Sequence, residues 1–151
     1  MRCIAHNIPC AVVQFIKGTW KTGERDFLEK KFSKECAFVV SGEGFTWETQ
    51  DRARDIAAAK AGWEEAKKFI LNPEIGFILL DEINIALRYD YLDIDEVVEF
   101  LLTKKPPMTH VVLTGRNAKE ELITAADLVT EMSLIKHPFR DGIKAQKGIE
   151  F

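Results

Sequence analysis

The sequence predicts an α/β domain, a mostly parallel sheet sandwiched by helices, and three observations lead there. Short β-branched apolar runs recur along the chain, amphipathic helical patterns lie between them, and the composition supports one packed core. With 151 residues, 46% of them apolar, the chain has the size of one ordinary domain, and a single unit is expected over residues 1–151.

Ala11-Val12-Val13-Gln14-Phe15-Ile16 is a nearly continuous apolar run ending at Lys17-Gly18, the pattern of a central strand buried on both faces. Further strands are expected at Ala37 to Val40, Phe77 to Leu80, His110 to Thr114 and Leu128 to Ile135. Ile56, Ala59, Trp63, Ala66 and Ile70 recur at helical spacing, and Asn72-Pro73 ends that helix. Asp93 with Glu96 forms a capping-box pattern ahead of Val97, Val98, Leu101 and Leu102, and Asn117 with Glu120 repeats it ahead of Leu122 and Ile123. Strands alternating with helices imply right-handed crossovers and a parallel sheet, whose ligands bind beyond the carboxyl ends of the strands.

Composition narrows the function. A net charge of -3 with mixed signs offers no basic field for a nucleic-acid backbone. Cys3, Cys10 and Cys36 are odd in number and set among apolar residues, as in reduced thiols of a cytoplasmic protein rather than a disulfide framework. His6, His110 and His137 are too scattered to complete a zinc site. No run reaches the length of a membrane span, and Met1 to Ala11 lacks the apolar core of a signal peptide.

The candidate site residues stand at strand ends. Phe77-Ile78-Leu79-Leu80-Asp81-Glu82 has the Walker B form, two carboxylates where a buried strand emerges, suited to Mg²⁺ on phosphates. A solvated acidic turn has the same composition, and the run alone leaves both readings open. Thr114-Gly115-Arg116 would project a guanidinium from the same edge toward a polyphosphate. The alternative, a surface arginine at a helix N-terminus, is electrostatically disfavoured. Gly42 to Gln50 carries Phe45 and Trp47 on a polar, glycine-containing loop, where they either stack on a flat ligand or anchor the loop to the core. Lys17 stands at another strand end, where a solvated lysine is the commoner use. Lys144-Ala145-Gln146-Lys147-Gly148 belongs to a basic tail that packing, a partner or a ligand must tie down. No Gly-Lys dipeptide occurs, so the phosphate-loop pattern cannot be matched.

Taken in order, Val13 to Gly18, Gly44 to Gln50, Leu80-Asp81-Glu82, Tyr89-Asp90-Tyr91-Leu92, Thr114-Gly115-Arg116 and Lys144 to Gly148 resemble the ATP:corrinoid adenosyltransferases of cobalamin synthesis and salvage. The likeness runs from about Ala11 to Phe151. It implies a RecA-like P-loop fold, usually a homodimer, in which Co(I) of a reduced corrinoid attacks the 5′ carbon of ATP and expels triphosphate. It further implies Mg²⁺ at Glu82 and Asp81, a phosphate-side Arg116, and corrinoid contacts from Phe45 and Trp47. Lys17, Lys144 and Gln146 fall in family-typical segments and are candidates for contacts with ATP. An electron-donating flavoprotein would supply Co(I).

The sequence departs from that pattern at its start. Family members begin with a strand, a glycine-rich phosphate loop and a helix, so the resemblance implies an N-terminally truncated form of the fold. A non-catalytic corrinoid-binding remnant is therefore the alternative expectation. A RecA-like nucleic-acid motor fragment is a third, disfavoured by the acidic balance.

Overall fold

The computed structural model describes residues 1–16, 22–41 and 51–149. In chain order its elements are α1 (Arg2–Ala5), β1 (Cys10–Phe15), α2 (Gly23–Lys31), β2 (Cys36–Ser41), α3 (Arg52–Leu71), β3 (Phe77–Asp81), α4 (Ile83–Arg88), α5 (Ile94–Thr103), β4 (His110–Leu113) and α6 (Glu120–Ala125), followed by a 3-10 turn at Pro138–Asp141. The four strands form one parallel sheet in the order β2-β1-β3-β4. The expected α/β class and parallel pairing are therefore observed, with β1 central as its two-sided apolar run predicts.

Register assigns each strand residue to a face. Ala11, Val13 and Phe15 share one face with Ile78 and Leu80, and this face meets Ala59, Trp63, Ala66 and Ile70 of α3 in the main core. Ile83, Ala86, Leu87 and Val97 extend that core along α4 and α5. Cys10 and Val12 lie on the opposite face with Cys36 and Phe77, covered by Ile4 of α1 and Leu28 of α2. Alternation with period two thus divides the apolar residues of β1 between two packed layers.

α3 forms where helical spacing predicts it. The Asp51 side chain caps its start by accepting from the Arg54 N–H at 3.2 Å, and the chain leaves the helix at Asn72, before Pro73. Asp93 caps α5 as expected, its Oδ1 accepting from the Asp95 and Glu96 amides at 2.9 and 3.1 Å. The Glu96 carboxylate turns instead to α3, where it accepts from Trp63 Nε1 at 3.1 Å and Lys67 Nζ at 3.3 Å.

Two expectations are corrected. Asn117 does not cap α6: it sits in left-handed backbone at φ 54°, and the helix begins only at Glu120, after an Lys119 that makes no side-chain cap. The turn that carries the chain away from β4 uses the very residue whose side chain was expected to cap. Leu128 to Ile135 forms no strand and is exposed, Met132 at 94%. A strand needs a neighbour's ladder as well as an apolar run, and among the described residues β4 pairs with β3 alone.

Candidate active site

The carboxyl ends of β1, β3 and β4 meet at a small polar network. Gln14, the penultimate residue of β1, is 2% exposed and donates from Nε2 to Asp81 Oδ2 at 2.9 Å. Thr114, just past β4, donates from its hydroxyl to Asp81 Oδ1 at 2.9 Å. The Thr114 hydroxyl oxygen in turn accepts the Glu82 N–H at 3.1 Å. Asp81 is thereby held between the strands on either side of its own, with a neutral donor on each carboxylate oxygen.

Backbone strain gathers at the same edge. Glu82 has φ 63° and Ile16, at the end of β1, φ 73°, both in the left-handed region that side chains seldom adopt. For a β-branched residue such as Ile16 this is a marked outlier, and such outliers cluster at functional sites. Gly115 follows Thr114 at φ 134°, where a Cβ would stand 2.9 Å from the Asn84 Cβ, so close passage of the two segments requires glycine. Gln14 Oε1 and Asn84 Oδ1 are buried acceptors with no donor among the described residues.

The Tyr89-Asp90-Tyr91-Leu92 segment braces the surroundings. Tyr91 stacks on Tyr89 at 5.7 Å, lies under the Arg52 guanidinium at 5.4 Å, and donates its hydroxyl to Asp55 Oδ2 at 3.3 Å. Burial, and then the Asp55 carboxylate, raise the Tyr91 phenol above its ordinary pKa and keep it a donor. Lys119 Nζ reaches Asp90 Oδ1 at 2.7 Å and holds that exposed carboxyl below its ordinary value. The segment therefore joins the end of α4 to the start of α3 and to the entry of α6.

Of the residues expected at the site, Asp81 and Glu82 stand together at the sheet edge, and Arg116 is exposed two residues beyond Thr114, on the loop leaving β4. Because α6 starts only at Glu120, Arg116 does not sit on a helix N-terminus. Lys144 and Gln146 lie on an exposed segment whose turn is closed by the Ile149 N–H on the Gln146 carbonyl at 3.1 Å. Lys17, Phe45 and Trp47 lie outside the described residues. No group of three or more His, Cys, Asp or Glu is arranged to hold a metal among the described residues. Sequence reading gave no role to Gln14 and Thr114. A buried glutamine near the end of a two-sided apolar strand was the available signal, since such a group must find a partner.

A parallel sheet with paired carboxylates and strained turns at its carboxyl edge defines an α/β protein of the class whose ligands bind beyond the strand ends. The family model described as ATP:corrinoid adenosyltransferase BtuR/CobO/CobP matches residues 1–151. A corrinoid adenosyltransferase of Sinorhizobium sp. is 68% identical over 150 residues, covering 99% of this chain and 70% of the relative. Those of Pseudomonas aeruginosa and Escherichia coli K12 are 53% and 41% identical, again over 99% of this chain, and over 73% and 74% of their own lengths. The chain belongs to the ATP:corrinoid adenosyltransferase family.

Proposed function

We infer that the protein transfers the 5′-deoxyadenosyl group of ATP to Co(I) of a corrinoid in cobalamin metabolism. The observation that carries this reading is the family match along the whole chain together with high identity to corrinoid adenosyltransferases. In the reaction the cobalt electron pair forms the Co–C bond, the bond from C5′ to the triphosphate oxygen breaks, and its electron pair leaves with triphosphate. Cobalt passes formally from Co(I) to Co(III), so the electrons for product formation come from the reduced corrinoid itself. The protein's share is then to align the 5′ carbon with cobalt and to stabilise charge growing on the leaving triphosphate.

The geometry supports a division of roles. Mg²⁺ fits the donor set at the end of β3, because it prefers hard oxygen ligands and takes one or two carboxylates together with phosphates and waters. Glu82 and Asp81 would hold it, and the buried acceptors Gln14 Oε1 and Asn84 Oδ1, which have no hydrogen-bond partner among the described residues, add oxygen character to the same edge. When bound, the ion offsets charge on the leaving triphosphate. Arg116, exposed on the loop beyond β4, is free to reach the phosphates as a bidentate donor. Phe45 and Trp47 are assigned to the corrinoid face, and Lys17, Lys144 and Gln146 to ATP, from their matching segments.

A homodimer, reduction of the corrinoid by a flavoprotein and action in the cytoplasm complete the reading. Free Cys3, Cys10 and Cys36 agree with a reducing compartment. No described helix is long and apolar enough to cross a membrane. The reading is tested by variants followed on two axes. Glu82→Gln should lower the Mg²⁺-dependent rate while corrinoid binding persists, and Trp47→Ala should weaken corrinoid handling with ATP affinity nearly intact. Equal losses on both axes from either variant would contradict these roles.

A further inference from the structure

We propose that Thr114 is a positioning residue for adenosyl transfer: its hydroxyl holds the left-handed turn that presents Glu82. The proposal rests on the reading of Glu82 as the triphosphate-side carboxylate.

Thr114 makes four connections to the end of β3. Its N–H donates to the Leu80 carbonyl at 3.1 Å, and its carbonyl accepts from the Asn84 N–H at 3.2 Å. Its hydroxyl donates to Asp81 Oδ1 at 2.9 Å and accepts from the Glu82 N–H at 3.1 Å. A hydroxyl can donate once and accept elsewhere, so one oxygen fixes the Asp81 side chain and the Glu82 backbone together.

The turn needs such a pin. At φ 63°, Glu82 occupies a conformation that costs a non-glycine residue free energy and persists only when its surroundings impose it. Glutamate lacks the short side chain with which Asn or Asp stabilises this conformation locally. The imposed φ decides the direction in which Glu82 leaves the sheet, and Gln14 fixes the far side of the same network through Asp81 Oδ2. Asp81 accordingly acts as the brace between β1 and β4. A methyl in place of the hydroxyl removes both side-chain links while leaving both backbone links in place.

The experiment compares the wild type, Thr114→Val and Thr114→Ser. Thr114→Val should lower kcat by about 100-fold, the scale of a small misplacement at a reacting centre, and raise the Mg²⁺ concentration for half-maximal rate. The corrinoid KM should stay within about twofold, since no corrinoid contact is removed. Thr114→Ser keeps the oxygen and should recover most of the rate. Two readouts work without turnover: calorimetric titration of Mg-ATP, and hydrogen exchange at the Glu82 amide, which should be protected in the wild type and Thr114→Ser and lose protection in Thr114→Val. Wild-type kcat and Mg²⁺ requirement in Thr114→Val overturn the proposal, as does a Thr114→Ser as impaired as Thr114→Val. If Thr114→Val does not fold, Thr114→Ser is judged against the wild type: recovery of kcat, Mg²⁺ requirement and Glu82 amide protection supports the proposal, and a loss of about 100-fold in kcat with the amide still protected overturns it. A wild type that binds no Mg-ATP sinks the assignment of Glu82 and the proposal with it. Exchange that follows the hydroxyl while turnover does not would show that the hydroxyl holds the turn without positioning Glu82 for the reaction, and would overturn the proposal.

Discussion

Cys36 is 3% exposed and pairs in register with Cys10 on the neighbouring strand. Burial, followed by hydrogen bonding to Cys10, pushes the Cys36 thiol from its ordinary 9.0 up to about 12. Below pH 9 the thiol is protonated in folded and unfolded chains alike, so this group imposes no pH dependence there. Between 9 and about 12 only the unfolded chain loses the proton, and stability must fall as pH rises. Replacing Cys36 with alanine should flatten that alkaline limb of a denaturant titration, and an unchanged limb would contradict the assignment. Native-state alkylation should label half-buried Cys3 ahead of Cys36, because Cys36 is buried and its raised pKa keeps it from the reactive thiolate form. At this scale Asp81 and Glu82 were legible, since an acidic pair ending an apolar strand is a local pattern. Gln14 and Thr114 were not, because their partner lies 67 and 33 residues away and is reached only once β1, β3 and β4 lie side by side.

Among elements, α3 and α5 are joined by one indole. Trp63 is 2% exposed, packs edge-to-face on Phe100 at 5.4 Å and donates to Glu96. Trp63→Ala should cost about 3–5 kcal/mol in a denaturant titration through the cavity it opens. Asp93→Ala removes a two-amide cap and should cost about 1 kcal/mol, whereas breaking the pair of half-buried Lys67 with exposed Glu64 should have a smaller effect. Gly115→Ala should disturb the site more than its size suggests, since both φ and the Asn84 approach oppose a Cβ; wild-type kinetics in that variant would contradict this reading. Four strands and α3 were legible because period and punctuation agree in them. Leu128 to Ile135 was misread because an apolar run records propensity and says nothing of which strand edge receives it. Asn117 was misread because the same residue type suits a helix cap and a left-handed turn.

At the scale of the molecule, β4 has a neighbour on one side only among the described residues, and Val112 on it is 41% exposed. Leu128, Ile135, Phe139 and Ile149 are exposed as well, so apolar surface and an unpaired strand edge coexist. Such surfaces favour association. Sedimentation velocity should show a concentration-dependent species larger than a 17.2 kDa monomer, and Val112→Lys should reduce it. A strictly monomeric protein at all concentrations would count against this expectation. The central claim concerns chemistry, and one assay addresses it most directly: the purified protein is incubated anaerobically with Mg-ATP and a chemically reduced corrinoid, while Co(I) absorbance and products are followed. Adenosyl transfer predicts loss of the Co(I) band above the protein-free control, a light-sensitive corrinoid product and one triphosphate for each adenosyl group transferred. A folded protein that leaves the Co(I) band and ATP unchanged would contradict it.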